Sequence, residues 1–138
     1  MAVNKRKKLY KQLDEVVSKY IRLRDGYCVQ CGNPERLTNG HIFSRRHLAT
    51  RWDISKDGNC HCQCWGCNYK HTKDNYDYYK WYTDRFGKKK FEKARKIKVV
   101  AVYWGNEDLH FVSGIILETL KYKPTRQATF RYIVAQLL

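Results

Sequence analysis

Four cysteines in two Cys-x-x-Cys pairs are the residues whose type and spacing most directly predict chemistry. The pairs are Cys28 with Cys31 and Cys64 with Cys67, and 32 residues separate them. Zinc is commonly bound by four thiolates in a tetrahedron, and each tight pair supplies two of them from one turn or one helix start. The spacing therefore predicts a structural Zn²⁺ site formed by all four cysteines.

Three polar residues between or beside these pairs have the types needed to hydrolyse a phosphodiester. That reaction needs a base to activate water and a cation to stabilise charge on the phosphate. His41 is a candidate base because imidazole titrates near neutral pH, and Asn59 could hold the loop or orient the imidazole. The carbonyl oxygen of Asn68 could bind a hard cation such as Mg²⁺. Structural interpretations remain open: His41 as a core or surface residue, Asn59 as a turn residue, Asn68 as a helix cap.

The apolar segments and the cysteines of the chain indicate the cellular setting of the protein. The first residues lead into a basic run, and no stretch approaches the ~18–20 apolar residues that a membrane span needs. A cytoplasmic, reduced protein without a membrane partner is expected, and there Cys-x-x-Cys pairs indicate metal more often than disulfide. Cys60 and Cys62 are most simply packed thiols, although they could compete for the metal.

The chain is strongly basic, with 28 Lys and Arg against 13 Asp and Glu and a formal net charge of +15 in 138 residues. Such a field attracts polyanions. The 11 Tyr, 5 Phe and 4 Trp interleaved with the basic residues favour nucleic acid over a merely soluble basic protein. The planar guanidinium groups of Arg45, Arg46 and Arg51 suit phosphate contacts. DNA is therefore the expected partner.

Periodicity and turn residues predict the elements that position these groups. An apolar stripe at helical spacing predicts a helix over 5–24, which Gly26 should end. Two short strands are expected around 40–43 and 50–54. A further helix should begin near Cys64 and bear the residues Cys67, Asn68 and His71.

The second half of the chain is expected to be mainly helical. Asp74 should cap a helix that ends at Gly87, and the basic run over 88–98 has apolar residues at helical spacing. The β-branched and aromatic stretch over 97–104 is compatible with either strand or helix. Residues 106–138 have the pattern of a helical hairpin.

The order of these motifs resembles a known class of nucleases. Gly40-His41, then Asn59, then Cys-x-x-Cys-Asn ending at Asn68 is similar to the treble-clef HNH endonucleases, in the variant whose third letter is Asn. Three longer segments resemble the phage NinG/Rap recombination endonucleases, which belong with Holliday-junction resolvases. They are Gly40-His41-Ile42-Phe43-Ser44-Arg45-Arg46, Thr50-Arg51-Trp52-Asp53 and Asn59-Cys60-His61-Cys62-Gln63-Cys64-Trp65-Gly66-Cys67-Asn68.

The resemblance implies an α+β fold, with a zinc-stabilised treble-clef (ββα-metal) HNH core flanked by N- and C-terminal helices. It implies a nuclease domain over 1–98 and a mainly helical extension over 99–138 that packs on the core or on a partner subunit. The similarity extends from about Leu9 to about Phe86, a little over half of the chain.

The resemblance also implies roles for individual residues. His41 would be the general base, Asn59 would fix the active-site loop, and Asn68 would bind a catalytic Mg²⁺ or Mn²⁺. Many HNH enzymes have an Asp or His metal ligand just before the base, but here that position is Gly40. The candidates to hold the ion instead are Asp53 and His61, which the sequence does not separate, and, more weakly, His71.

These features together predict a metal-dependent DNA endonuclease that cuts branched DNA in phage recombination. Two symmetric nicks in a four-way junction require a two-fold assembly, so a homodimer is expected, with helices 4–24 and 106–138 as candidate surfaces. One alternative is a sequence-preferring HNH nickase of homing or restriction type. Another is a zinc module that binds nucleic acid without cutting it and retains His41 for structure.

Overall fold

The computed structural model describes residues 2–98, with side chains at 7, 8 and 10–96. Four helices and one two-stranded antiparallel sheet are present in this part of the chain. The elements are α1 (Ala2–Asp25), β1 (Leu37–His41), β2 (Cys60–Cys64), α2 (Trp65–Lys73), α3 (Tyr76–Phe86) and α4 (Lys88–Lys98). The α+β class predicted from the sequence is confirmed. None of the described helices is long and apolar enough to cross a bilayer.

Helix α1 packs its apolar stripe against one face of the sheet. Its buried members Val16, Val17, Tyr20 and Ile21 form a cluster with the side chains of Trp52, Ile54, Cys60 and Cys62. The helix ends at Asp25 and is followed by Gly26, whose φ of +76° lies in the left-handed region that glycine adopts readily. The predicted helix and its glycine stop are therefore confirmed.

The end of α1 is fastened to β2 by a buried ion pair. The side chains of Arg24 and Asp25 are 6% and 14% exposed, with Nε and Oδ1 2.7 Å apart. Arg24 also donates to the carbonyl of Cys60 at 2.9 Å, and Asp25 accepts the backbone N–H of Cys62 at 2.8 Å. Charges taken out of water need such full pairing, so these contacts fix the position of the sheet relative to α1.

The sheet pairs β1 with β2 in a register that places Gly40 opposite His61 and His41 opposite Cys60. Directly opposed residues share a face, and neighbours along a strand alternate faces. His41 is therefore on the same face as Cys60, and His61 is on the other face. The extended conformation of 60–64 agrees with the alternating cysteines of that segment.

The second strand expected around 50–54 is wrong, and the first is displaced. Residues 50–52 instead form a turn and 53–54 are irregular, and the N–H of Asp53 donates to the carbonyl of Thr50 at 3.1 Å. Trp52 and Ile54 are both buried, at 5% and 2% exposure, so a turn that buries alternate residues imitates the pattern of a strand. Strand β1 begins at Leu37 and ends at His41 instead of continuing through Phe43.

A second, mostly aromatic core joins the loop after β1 to α3 and α4. Ile42 and Phe43 pack with the buried Tyr78 and Tyr82 of α3, and the ring of Phe43 lies 5.2 Å from that of Phe91 in α4. Helix α3 is followed by Gly87 at φ +91°, as predicted. The predicted hairpin over 106–138 and the domain boundary after residue 98 concern residues outside the described part, and they stay predictions.

Candidate active site and metal centre

The four paired cysteines come together in one cluster. Their sulfur atoms all lie within 4.8 Å of one another, and Sγ of Cys31 lies 3.7 Å from Sγ of Cys64. A tetrahedral zinc ion with bonds of about 2.3 Å to sulfur requires sulfur atoms about 3.8 Å apart. The donor set and its spacing therefore fit one Zn²⁺. We call this cluster the cysteine quartet: Cys28, Cys31, Cys64 and Cys67.

Local backbone geometry gathers the quartet from two elements. After Cys31 the chain turns at Gly32, whose φ is +78° and whose N–H donates to the carbonyl of Cys28 at 2.8 Å. Cys64 is the last residue of β2 and the N-cap of α2, and its sulfur accepts the N–H of Cys67 at 3.4 Å. A turn with a positive-φ glycine and a strand-to-helix junction thus supply two thiols each.

One thiol of the quartet, Cys28, has a lowered pKa, whereas burial raises the pKa of Cys67 and of Cys60 and Cys62 in β2. Burial raises the pKa of Cys28, but backbone N–H groups directed at its sulfur outweigh this effect and lower the pKa to about 7. Burial raises the pKa of Cys62 to about 12, with the charge of Asp25 adding to the effect, and also raises the pKa of Cys60. Because zinc binds thiolates, Cys28 is suited to metal, whereas Cys60 and Cys62 are packed as neutral thiols.

His41 is at the end of β1 with its ring held in one orientation. Its Nε2 lies 3.0 Å from the carbonyl oxygen of Arg51. A carbonyl oxygen only accepts hydrogen bonds, so Nε2 has the proton and Nδ1 has the free lone pair. Burial lowers the pKa of His41 to about 4, which keeps the ring neutral near pH 7. This is the protonation state that a general base needs.

The residue whose carbonyl orients His41 is itself held, through its side chain, by a carboxylate from α1. Both oxygens of Asp14 accept from the guanidinium of Arg51, at 3.0 and 2.6 Å, and the indole N–H of Trp52 donates to Asp14 at 2.9 Å. Although burial raises the pKa of Asp14, the hydrogen bonds from Arg51 and Trp52 lower it overall, so the carboxylate is ionised. Arg51 is thus engaged by protein groups, and the phosphate contact predicted for it would have to displace Asp14.

Asn59 closes the loop that follows β1. Its side chain is 3% exposed, accepts the N–H of Phe43 at 2.7 Å and donates to the carbonyl of Phe43 at 3.0 Å. The backbone carbonyl of Asn59 accepts the N–H of Ile42 at 3.0 Å. The backbone bond continues the register of the sheet by one pair, and the two side-chain bonds to Phe43 hold the loop that follows His41.

A cleft of about 780 Å³ lies beside His41. Residues of α1, β1, the following loop and α2 line it. They bring together five of the predicted site residues: His41, Arg45, Arg46, Asn68 and the weaker candidate His71. The amide nitrogen of Asn68 donates to Oγ1 of Thr38 at 3.0 Å, which fixes the side chain and leaves its carbonyl oxygen as the group for a cation. Arg45 and Arg46 are exposed and can reach a polyanion in the cleft.

Two buried acceptor atoms of residues that line the cleft have no hydrogen-bond partner among the described residues. They are Oδ1 of Asn39 and Nδ1 of His71. Nε2 of His71 donates to the carbonyl of His41 at 2.9 Å, so its Nδ1 has a free lone pair. Buried polar atoms are usually satisfied. These two atoms, with the carbonyl oxygen of Asn68, therefore fit a ligand that accepts electron pairs, such as a divalent cation.

Asp53 and His61 do not line this cleft. Oδ1 of Asp53 accepts the N–H of Ser55 at 3.1 Å and holds the turn that follows. His61 is 2% exposed, its Nε2 donates to the carbonyl of Lys56 at 3.1 Å, and its ring lies 4.9 Å from that of Trp81. The alternation of faces along β2 directs His61 away from His41. The structure therefore does not bring either residue to the position they were predicted to fill.

The glycine before His41 also has a structural cause. A Cβ atom at Gly40 would lie 1.8 Å from Oε1 of Gln63, whose side chain is fully buried on the same face of the sheet. An acidic ligand at position 40 would therefore require Gln63 to move. The side chain of Gln63 therefore explains why position 40 has no acidic residue in this chain.

Comparison with known proteins shows a family match. The sequence model of the family described as Bacteriophage Lambda NinG protein matches residues 1–113. The chain belongs to the NinG family. Membership implies a phage protein related to recombination. Neither a curated protein nor a solved structure matches the chain significantly.

The NinG match is longer than the resemblance read from the motifs. It begins before α1 and continues past α4, whereas the motifs indicated similarity only from about Leu9 to about Phe86. The part of the chain common to the NinG family therefore includes the whole described fold. Two residues of the NinG cleft, Asp14 and Asn39, were missed from the sequence; Asn39 directly precedes Gly40-His41, and Asp14 had no local signal.

The neutral states of His41 and His61 predict how this NinG protein responds to acid. Burial lowers the pKa of each to about 4, whereas an unfolded histidine titrates near about 6.5. Below about pH 6.5 the unfolded chain binds more protons, so the free energy of unfolding falls from there toward pH 4, on the order of 3 kcal/mol for each imidazole. NMR titration of zinc-loaded protein should find both rings neutral at about pH 5.5. A midpoint near the unfolded value for either ring would contradict its burial.

Proposed function

We propose that this NinG-family protein is a metal-dependent HNH-type DNA endonuclease, of the HNN variant, that cuts branched DNA in phage recombination in the manner of a Holliday-junction resolvase. His41 is the base that activates water for attack on a phosphodiester. The observation that supports this most strongly is the hydrogen bond from Nε2–H of His41 to the carbonyl of Arg51. This hydrogen bond leaves Nδ1 of the neutral imidazole unprotonated, so Nδ1 can take the proton of a water molecule beside a basic cleft.

The order of elements supports assignment to the treble-clef, ββα-metal type of core. Strand β1 ends with the proposed base, β2 returns antiparallel to it, and α2 follows with Asn68 in its second turn. The cysteine quartet joins the turn before β1 to the β2–α2 junction. In this proposal zinc is structural, because its ligands are four thiolates and the proposed base is not among them.

Asn68, Asn39 and His71 are the residues that would hold the catalytic Mg²⁺ or Mn²⁺. A divalent cation supplies charge stabilisation for the phosphate and the leaving oxygen. The support is that all three residues line one cleft and that Oδ1 of Asn39 and Nδ1 of His71 have no hydrogen-bond partner among the described residues. Mg²⁺ sites in proteins usually include one or two carboxylates together with substrate phosphates. Here the phosphate of DNA would complete the ligand set.

Charge around the cleft favours a DNA backbone as the ligand. Arg45 and Arg46 are exposed on the loop after β1, and Asp14 is the only acidic residue among the described ones lining the cleft. Asp14 is neutralised by Arg51 at 2.6 Å. Contacts to phosphate position a duplex without reading its sequence. This suits selection by DNA shape, and a homodimer would place two such clefts for paired nicks across a junction.

One observation favours a second candidate, a zinc module that binds nucleic acid without cutting it. The single carboxylate of the described cleft, Asp14, is fully engaged by Arg51 and Trp52, and position 40 has no side chain. A site without a free carboxylate binds magnesium less readily than one that has it. This candidate predicts binding that weakens steeply with salt and no hydrolysis in any metal.

The proposed substrate is tested by comparing a labelled four-way junction with linear duplexes of the same arm sequences. Zinc-loaded protein with Mg²⁺ or Mn²⁺ should nick the junction near its centre, at symmetric positions, and leave the linear arms intact. Reactions without added divalent ion should show binding only. Equal cutting of both substrates would remove the resolvase specificity, and cutting at one sequence in either substrate would favour a sequence-preferring nickase.

A further inference from the structure

Helix α2 exposes two aromatic rings that stack on each other. The rings of Trp65 and Tyr69, one helical turn apart, have centroids 5.2 Å apart and planes inclined by only 8°. Both residues are about half exposed, at 52% and 51%. Neither belongs to the two cores described above. The pair therefore forms a half-exposed aromatic stack on the surface of α2.

Two cationic side chains lie over this pair of rings. The guanidinium carbon of Arg36 is 5.4 Å from the ring centre of Trp65, and Nζ of Lys73 is 5.6 Å from that of Tyr69. We call these four residues the stacking surface: Arg36, Trp65, Tyr69 and Lys73. Alternation of cations with aromatic rings is the composition that binds single-stranded nucleic acid, since rings stack on bases and cations pair with phosphates.

Arg36 has a backbone conformation that its residue type does not favour. Its φ is +52°, and it is the only non-glycine residue with positive φ in the described part of the chain. Its carbonyl accepts the N–H of Trp65 at 2.8 Å, which joins the loop before β1 to the start of α2. Residues held in such conformations cluster at functional sites. Arg36 therefore combines a strained backbone with the cation that lies over Trp65.

The stacking surface is adjacent to the cleft on the same helix. In an α-helix each residue turns the chain by about 100°, so Asn68 is directed about 60° from Trp65 around the axis of α2. Asn68 and Thr72 line the cleft, while Trp65 and Tyr69 lie on the neighbouring exposed face. A strand that leaves the cleft can therefore continue along α2.

We propose that the stacking surface binds unpaired bases of a DNA strand, such as those opened at a branch point, and so selects branched over fully paired DNA. The proposal rests on the function proposed above and names the substrate feature that the protein recognises. Stacking of a base on an exposed ring is a stronger contact than an exposed cation–π pair. A base can therefore displace Arg36 or Lys73 from its ring, and the released cation is then close to the phosphates of the same strand.

The test measures equilibrium binding without added magnesium or manganese, so that cleavage does not enter. Labelled single-stranded and duplex oligonucleotides of equal length are titrated with zinc-loaded wild type, Trp65→Ala and Tyr69→Ala at fixed salt. Each variant should bind single strands about tenfold more weakly, the usual effect of removing a stacking ring, and duplex nearly as well as wild type. Trp65→Phe should retain most of the affinity for single strands.

Tyr76→Ala is the matched control, because Tyr76 is 58% exposed and lies outside the stack. It should bind both oligonucleotides like wild type. Zinc content and thermal unfolding of each variant verify that it is folded. Unchanged single-strand binding in folded Trp65→Ala, or an equal loss for single strand and duplex, would overturn the proposal. Loss of self-association without loss of binding would assign the surface to a protein contact instead.

The outcome is separable from that of the nuclease proposal. If wild type prefers single strands, Trp65→Ala loses that preference and wild type cuts no DNA, the proposal for the stacking surface stands and the nuclease proposal fails. Junction cutting that is insensitive to Trp65→Ala, with single-strand binding also unchanged, would retain the nuclease and remove the stacking surface.

Discussion

Replacing His41 with alanine should slow cutting of a four-way junction by about 10²–10⁴-fold, the usual contribution of a positioned general base. The alanine variant has no imidazole beside the cleft to take a proton. Binding should change little, because Arg45 and Arg46 are untouched. The measurement is a single-turnover rate with Mg²⁺ or Mn²⁺ at saturating protein, together with the dissociation constant for the same junction.

The fold should survive this substitution. The carbonyl of Arg51, which accepts from His41, is also within 3.4 Å of the thiol of Cys60, so a donor remains after His41 is removed. Arg51 itself stays fixed by Asp14. A second variant, His41→Gln, retains a side-chain N–H donor but has no basic nitrogen. It should therefore be as inactive as the alanine variant while retaining the stability of wild type.

His47→Ala is the matched control for this experiment. His47 lines the same cleft and is partly exposed, yet it was assigned no role in the reaction. This variant should cut the junction at nearly the rate of wild type. A near-normal rate in folded His41→Ala and His41→Gln would contradict the assignment of the base. An equal loss in His47→Ala would indicate that the cleft is merely sensitive to substitution.

Removing one ligand of the cysteine quartet should unfold the protein. Structural zinc contributes on the order of 10–16 kcal/mol to coupled folding and binding, which is as large as the whole net stability of about 5–15 kcal/mol of a typical domain. Cys28→Ser and Cys64→Ser should therefore lose bound zinc and the cooperative thermal transition. Zinc content by metal analysis and unfolding by circular dichroism measure both effects.

The two other cysteines of β2 provide the control for the zinc site. Cys60 and Cys62 are fully buried and lie in the same strand as Cys64, but they are outside the quartet. Cys60→Ala and Cys62→Ala should lose about 0.5–3 kcal/mol of stability through lost packing and retain one zinc per chain. Full zinc content in Cys28→Ser, or loss of zinc in Cys62→Ala, would contradict the ligand set.

The cysteine quartet could be predicted because its geometry is local. Each Cys-x-x-Cys pair is confined to one turn or one helix start, so spacing alone limits where the thiols lie. The helices were predicted for a similar reason: Val16, Val17 and Tyr20 recur at the helical period, and Gly26 and Gly87 have the positive φ of helix ends. Their signals are encoded within short segments.

Features that depend on packing between distant segments were not predictable. Burial of Trp52 and Ile54 against α1 imitated a strand in a segment that forms turns. The end of β1 is set by Asn59, which binds the backbone of Phe43 from 16 residues away. Neither interaction has a signature in the residues nearest to it.

The composition of the cleft shows the same limit. His41 and Asn68 came from motifs, but Asp14 enters from α1, 37 residues before the Arg51 that it holds. Asp53 and His61 lie in segments that match the nuclease motifs, but neither lines the cleft. Position along a motif does not determine the direction in which a side chain leaves a strand or a turn. Gly40 is in the position where many HNH enzymes have an acidic or histidine ligand, and its close approach to the side chain of Gln63 is visible only in three dimensions.

The central claim is that the cleft beside His41 performs metal-dependent phosphodiester hydrolysis. The most direct measurement is the cutting of a labelled four-way junction by zinc-loaded wild-type protein, with Mg²⁺, with Mn²⁺ and without either. The claim predicts nicks that require the added ion and that accumulate under single-turnover conditions. Tight, salt-sensitive binding of the junction without cutting in either ion would contradict it and leave a zinc module that binds DNA.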